Sequence, residues 1–143
     1  MKAKLMLSVS IVIGFYLSFG TFGDNPTALA QESTNNTKNI DPSISYAETA
    51  RNLLNQVSTE YKKGNFSGAE ELAAIAYLDN FEYVEAPLEK KGGSEIMKQL
   101  EDMMRKDLRE MIKDGVPYEK LLSHINATNT KLDEAISILN NTK

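Results

Sequence analysis

LAAIAYLDNFEYV, residues 72–84, is apolar almost throughout, yet it carries Asp79 and Glu82, and Glu85 follows one turn later. No alternation of polar and apolar residues marks it as a strand. Ala69, Leu72, Ala73, Ala76, Tyr77, Phe81 and Val84 instead circle most of a helix, which is therefore predicted to be the most buried of the chain. Carboxylates in such a helix are expected inside a core or at its edge. There an ionised carboxylate costs several kcal/mol, by the usual order of magnitude, unless a cation, a hydrogen-bond network or a proton compensates it.

Outward from this stretch the periodicity stays helical. Ala47, Ala50, Leu54, Val57 and Tyr61 step by three or four residues along one stripe, with Ser45 and Glu48 as a capping box and Gly64 as the stop. Ser67 with Glu70 forms a second capping box, so the next helix is expected to start at Gly68, and Pro87 is expected to kink or restart it. Gly92 and Gly93 break the chain. A third helix then turns Ile96, Leu100, Met103, Met104, Leu108, Met111 and Ile112 inward, and a fourth follows Gly115 and Pro117 with Leu121, Ile125, Thr128, Leu132, Ala135 and Leu139 on its stripe. Four helices at about 43–63, 68–90, 94–114 and 117–140, joined by short turns, predict an all-α fold, an antiparallel four-helix bundle of up-down-up-down order.

The first residues bear on the compartment. Lys2 and Lys4 precede a mostly apolar run from Leu5 to Phe22, and Ala28-Leu29-Ala30 offers a small-x-small cleavage site before Gln31, so residues 1–30 are expected to be a signal peptide. A retained anchor is the competing expectation, since the run is close to the length that spans a bilayer. Residues 31–42 are polar and predict a linker ahead of a helical domain over 43–143. The protein is thus expected outside the cytoplasm, secreted or at the cell surface. Four sequons, at Asn35, Asn65, Asn126 and Asn140, fit an exported chain and also fit chance in an Asn-rich one.

Loss of residues 1–30 would remove Lys2, Lys4 and Asp24 from 16 basic and 20 acidic residues, leaving a domain about five charges negative. Such a surface gives nucleic acid and anionic lipid little to hold, and it attracts cations. The absence of cysteine excludes disulfides and thiolate metal sites. No nucleophile with a histidine partner, phosphate loop or Gly-x-Ser-x-Gly motif occurs, and the chain is expected not to be an enzyme.

The run AYLDNFEYVEAPLE, residues 76–89, resembles the extracytoplasmic helical region of the high-affinity iron permeases, which carry a similar A-Y-L-D-x-F-E-x-x-E run ahead of their membrane helices. A second block is similar to the same region: Leu100, Glu101 or Asp102, Arg109, Gly115 with Pro117, and the last amphipathic helix. The resemblance spans roughly residues 46–139 and implies help in capturing iron, or another cation, and delivering it to a membrane transporter. Arg109-Glu110 begins the R-E-x-x-E motif of that family, but Lys113 stands where the second glutamate would be.

From the residues themselves, Asp79, Glu82 and Glu85 recur every three positions and can present oxygens to one side, with Glu89 a fourth ligand if Pro87 bends the chain back. Such oxygens suit iron(III), calcium or manganese better than zinc or copper. The competing arrangement is structural: acidic residues on an alanine-rich helix are most often paired with arginines of a neighbour, here Arg105 or Arg109. In that case the domain is a protein-interaction module of the cell envelope without a metal site. Solvent-open carboxylates favour the cation; an arginine lying across them favours the module. His124, the one histidine, is expected to be exposed or hydrogen-bonded rather than a ligand, and Met97, Met103, Met104 and Met111 to pack rather than bind copper(I). The sequence leaves the partner and the oligomeric state open.

Overall fold

The computed structural model describes residues 41–141; the expected signal peptide and nearly all of the linker lie outside them. The described chain is all-α, with four helices and no strand. We number them α1 (Pro42–Lys62), α2 (residues 66–90), α3 (residues 94–113) and α4 (Tyr118–Asn140). Among the described residues no helix is long and apolar enough to cross a membrane.

Both expected capping boxes are displaced towards the N-terminus. α1 is capped by Asp41, whose Oδ1 accepts the Ser43 amide at 3.1 Å and the Ser43 hydroxyl at 2.6 Å, with Pro42 in the first turn. Aspartate caps as well as serine does, and a proline at the first helical position sets φ in advance, so Asp41-Pro42 prevails over Ser45. The Ser43 donors, with help from Lys91, also hold the Asp41 carboxyl below the usual carboxylate range. α2 is capped by Asn65, not Ser67: its Oδ1 accepts the Gly68 amide at 3.1 Å. Gly68 makes this cap fit, because a Cβ there would stand 2.3 Å from Asn65 Nδ2.

The expected break at Pro87 is absent, and α2 runs through it to Lys90. The irregularity lies earlier, over Tyr77–Phe81, where the helix opens into a wide turn and the Glu82 amide donates to the Tyr77 carbonyl five residues back. α3 has a second wide turn over Asp102–Asp107, and the Leu108 amide reaches the Met103 carbonyl. Both turns follow from helix arithmetic. Ala69 and Leu88, both fully buried, are 19 residues apart, whereas five regular turns take about 18. Leu100, Met104, Leu108 and Ile112 are buried at strict spacings of four, against about 3.6 per turn. Each wide turn absorbs roughly the one residue by which the buried stripe outruns the helix.

The core gathers Leu54 and Val57 from α1, Phe81, Val84 and Leu88 from α2, Leu100, Met104 and Leu108 from α3, and Leu121, Ile125, Leu132 and Leu139 from α4, all of them fully buried. The predicted stripes of α1 and α4 are buried in full. On α2, Ala69, Ala73, Ala76, Tyr77, Phe81 and Val84 are buried as predicted and Leu72 is half-buried, while Leu78 and Tyr83, outside the predicted set, are 48% and 58% exposed. α1 packs on α2 and α4, α3 packs on α2 and α4, and the second half of α2 also meets α4. Between α1 and α4, Arg51 pairs with Asp133 and Asn129 donates to Asn55 at 2.9 Å, and the Tyr61 hydroxyl donates to the Val116 carbonyl in the turn before α4. Lys91, just past α2, reaches both Asp41, at 3.3 Å, and the Leu139 carbonyl near the end of α4.

Candidate functional site

The carboxylates of residues 72–85 do not sit in the core. Asp79 and Glu82 are exposed, Glu89 is exposed, and Glu85 alone is half-buried. The buried polar side chain of the stretch is Asn80, 7% exposed, whose Nδ2 donates to the Ile75 carbonyl at 3.0 Å and so satisfies a backbone acceptor just before the wide turn. Placing Asn80 and Phe81 inward leaves Asp79 and Glu82 pointing to water.

Glu85 belongs to a network the sequence did not reveal. The Tyr77 hydroxyl, two turns earlier on α2, donates to Glu85 Oε1 at 3.1 Å. Glu101 approaches from α3, held by Arg105 at 3.1 Å. Burial raises the Glu85 carboxyl above its ordinary range; Glu101 and Glu82 push it further, while the Tyr77 hydrogen bond and Arg105 oppose the rise. Tyr77 is itself pushed up to about 12, first by burial and then by the Glu85 charge beside it. Tyr77 and Glu85 are eight residues apart on one helix face, the one sequence signal available. The pairing with Glu101 carried none.

The two arginines offered as structural partners turn elsewhere. Arg105 binds Glu101, and Arg109 lies 3.7 Å from Glu70. Among the described residues, Asp79, Glu82 and Glu89 form no ion pair with either. Asp79, Glu82, Glu85 and Glu89 are nonetheless spread along α2 as a row rather than a shell. Among the described residues no three acidic or histidine side chains come together in a group able to hold a metal ion. The helix continues through Pro87, and Glu89 beyond it is exposed.

His124 is half-buried on α4, and its Nε2–H donates to the Met103 carbonyl at 2.9 Å, at the wide turn of α3. Thr128, fully buried, donates in turn to the His124 carbonyl at 2.9 Å. Met104 is fully buried, and Met97, Met103 and Met111 are half-buried along α3. Of the sequons, Asn65 is occupied as a helix cap, and its Nδ2 donates to Glu60 at 2.8 Å.

No protein family matches the chain, and no curated protein and no solved structure matches it. The likeness to the iron permeases rests on the residues quoted for it.

Proposed function

We propose that the chain is an exported, non-catalytic, antiparallel four-helix bundle that collects iron or another hard cation on the carboxylate row Asp79, Glu82, Glu85 and Glu89 and passes it to a membrane transporter. The observation that carries this is the orientation of the arginines: Arg105 and Arg109 bind Glu101 and Glu70 and leave Asp79, Glu82 and Glu89 open to water, with half-buried Glu85 beside them. Open, exposed carboxylates hold a largely hydrated cation loosely, which suits capture followed by release. The antiparallel order of α1 and α4 is supported by their contacts, in which Arg51 and Asn55 meet Asp133 and Asn129, and Tyr61 meets Val116 just before α4, in reverse sequence. A protein-interaction module of the cell envelope is the second reading, favoured by the lack of a converging ligand group and by the exposed Tyr46 and Tyr83, whose rings stack at 4.8 Å.

Calorimetric titration with iron and calcium tests cation capture. Binding is expected to weaken in the Glu82→Gln, Glu85→Gln double variant and to strengthen as pH rises through the carboxylate range, because protons compete for the same oxygens. If the wild-type chain releases no heat with either cation, or the double variant binds equally well, the row is not a cation site and the interaction module takes its place.

A further inference from the structure

An open groove runs between the start of α2 and the last turns of α3. It consists of two adjoining hollows of about 480 and 450 Å³ that share Glu70 and Lys113. Phe66, 49% exposed, and Ile112 give one hollow an apolar side. Arg105, Lys106 and Arg109 line the other, with Glu110. Positions 105, 109 and 113 recur every four residues, so their charged ends follow one side of α3. Four cations against Glu70, Glu110 and Asp114 leave the groove with an excess of one positive charge on a chain of net charge −4. Among the described residues Lys106 and Lys113 have no ion-pair partner, and the Arg109–Glu70 contact, at 3.7 Å with both side chains about half exposed, is loose.

The complementary surface lies on the other half of α2. Asp79, Glu82 and Glu89 are exposed and unpaired with any described lysine or arginine, and Leu78 and Tyr83 stand exposed among them. Each surface combines excess charge of one sign with exposed apolar side chains, and rigid helices keep the two apart within one copy. We propose that the groove receives the acidic ridge of a second copy of this chain. Groove and ridge are different patches, so the contact is head-to-tail: every pair leaves one groove and one ridge free, and copies add in series. Exposed charges attract weakly and are screened by salt, so the association is reversible and salt-sensitive. It needs no cation, but the ridge shares Asp79, Glu82 and Glu89 with the row proposed above, so a cation bound there would compete with the second copy.

Sedimentation velocity of the full chain in the presence of a chelator, at rising concentration, tests this. The average mass is expected to climb with concentration at low salt and to return to the monomer at about 0.5 M salt, where the screening length is a few ångströms. The Lys106→Glu, Lys113→Glu variant and the Asp79→Lys, Glu82→Lys variant should each be monomeric. The chain carrying all four reversals should associate again, which no folding defect would produce. A wild type that stays monomeric at low salt overturns the proposal, and so does association unchanged by either pair of reversals. Assembly that appears only when a metal ion replaces the chelator assigns the ridge to cation bridging. A monomeric wild type that binds a labelled oligoglutamate peptide gives the groove to a different acidic partner.

Discussion

Glu85 is the residue where burial, hydrogen bonding and charge meet. Its carboxyl titrates above the ordinary range in the folded chain, first because it is partly desolvated, so the native state binds its proton more tightly than the unfolded chain does. The sign for stability follows: this contribution is fully present below the ordinary carboxylate pKa and is lost as pH rises through the raised value. Glu85→Gln removes the charge but keeps an acceptor for the Tyr77 hydroxyl. Its unfolding midpoint is expected above that of the wild type at neutral pH, with the advantage disappearing as pH falls through the carboxylate range. Tyr77→Phe should cost about 1.5–3 kcal/mol, the usual size for a hydrogen bond to a charged group, and less on the Glu85→Gln background. Thermal melts between pH 4 and 8 check both. A variant less stable than wild type at neutral pH would mean that the charge has a cationic partner.

At the scale of the helices, the elements were legible and their bounds fell within two residues of those observed, but the capping residues of α1 and α2 were not. The stripes of α1 and α4 are read directly from three and four spacings because those helices are regular. The caps of α1 and α2 were misread because several good capping residues stand within a few positions, and tertiary contacts choose among them; Asp41 gains from Lys91, and Asn65 from Gly68 and Glu60. The wide turn of α3 was written in the unbroken fours of Leu100, Met104, Leu108 and Ile112, a period too long for a plain α-helix. Two substitutions test the boundary chemistry by urea denaturation. Asn65→Ala, which removes the α2 cap, is expected to cost about 1 kcal/mol. Gly93→Ala is expected to cost about 1–3 kcal/mol, because its Cβ would stand 2.5 Å from Leu88 Cδ1 and Leu88 is fully buried and cannot withdraw.

For the whole molecule, Lys91 joins segments far apart in sequence. Its ammonium reaches Asp41 before α1 and the Leu139 carbonyl near the end of α4, where a positive charge also favours the helix dipole. Lys91→Met keeps the packing of the stem and removes the charge. It is expected to cost about 1 kcal/mol or less, since the pair is partly exposed. Amide hydrogen exchange should quicken together at the start of α1 and the end of α4 while the centre of α3 is unchanged. Faster exchange at one end alone would show that Lys91 does not couple the two.

The sequence by itself determined that the described chain is helical, which residues of α1 and α4 face inward, and where glycine ends α1, α2 and α3, because periodicity and positive φ at Gly64, Gly92 and Gly115 are local properties of the chain. Only the tertiary structure decided the fate of the carboxylates. An apolar run with acids in it reads as buried charge, but the wide turn over Tyr77–Phe81 puts Asn80 and Phe81 inside and leaves Asp79 and Glu82 in water. Arg105 and Glu101 are four apart on α3, a spacing the sequence shows, but the approach of Glu101 to Glu85 and the contact of Arg109 with Glu70 depend on how α2 and α3 lie against each other. No spacing within one helix encodes that, because side chains on two helices meet only once both cores have been packed.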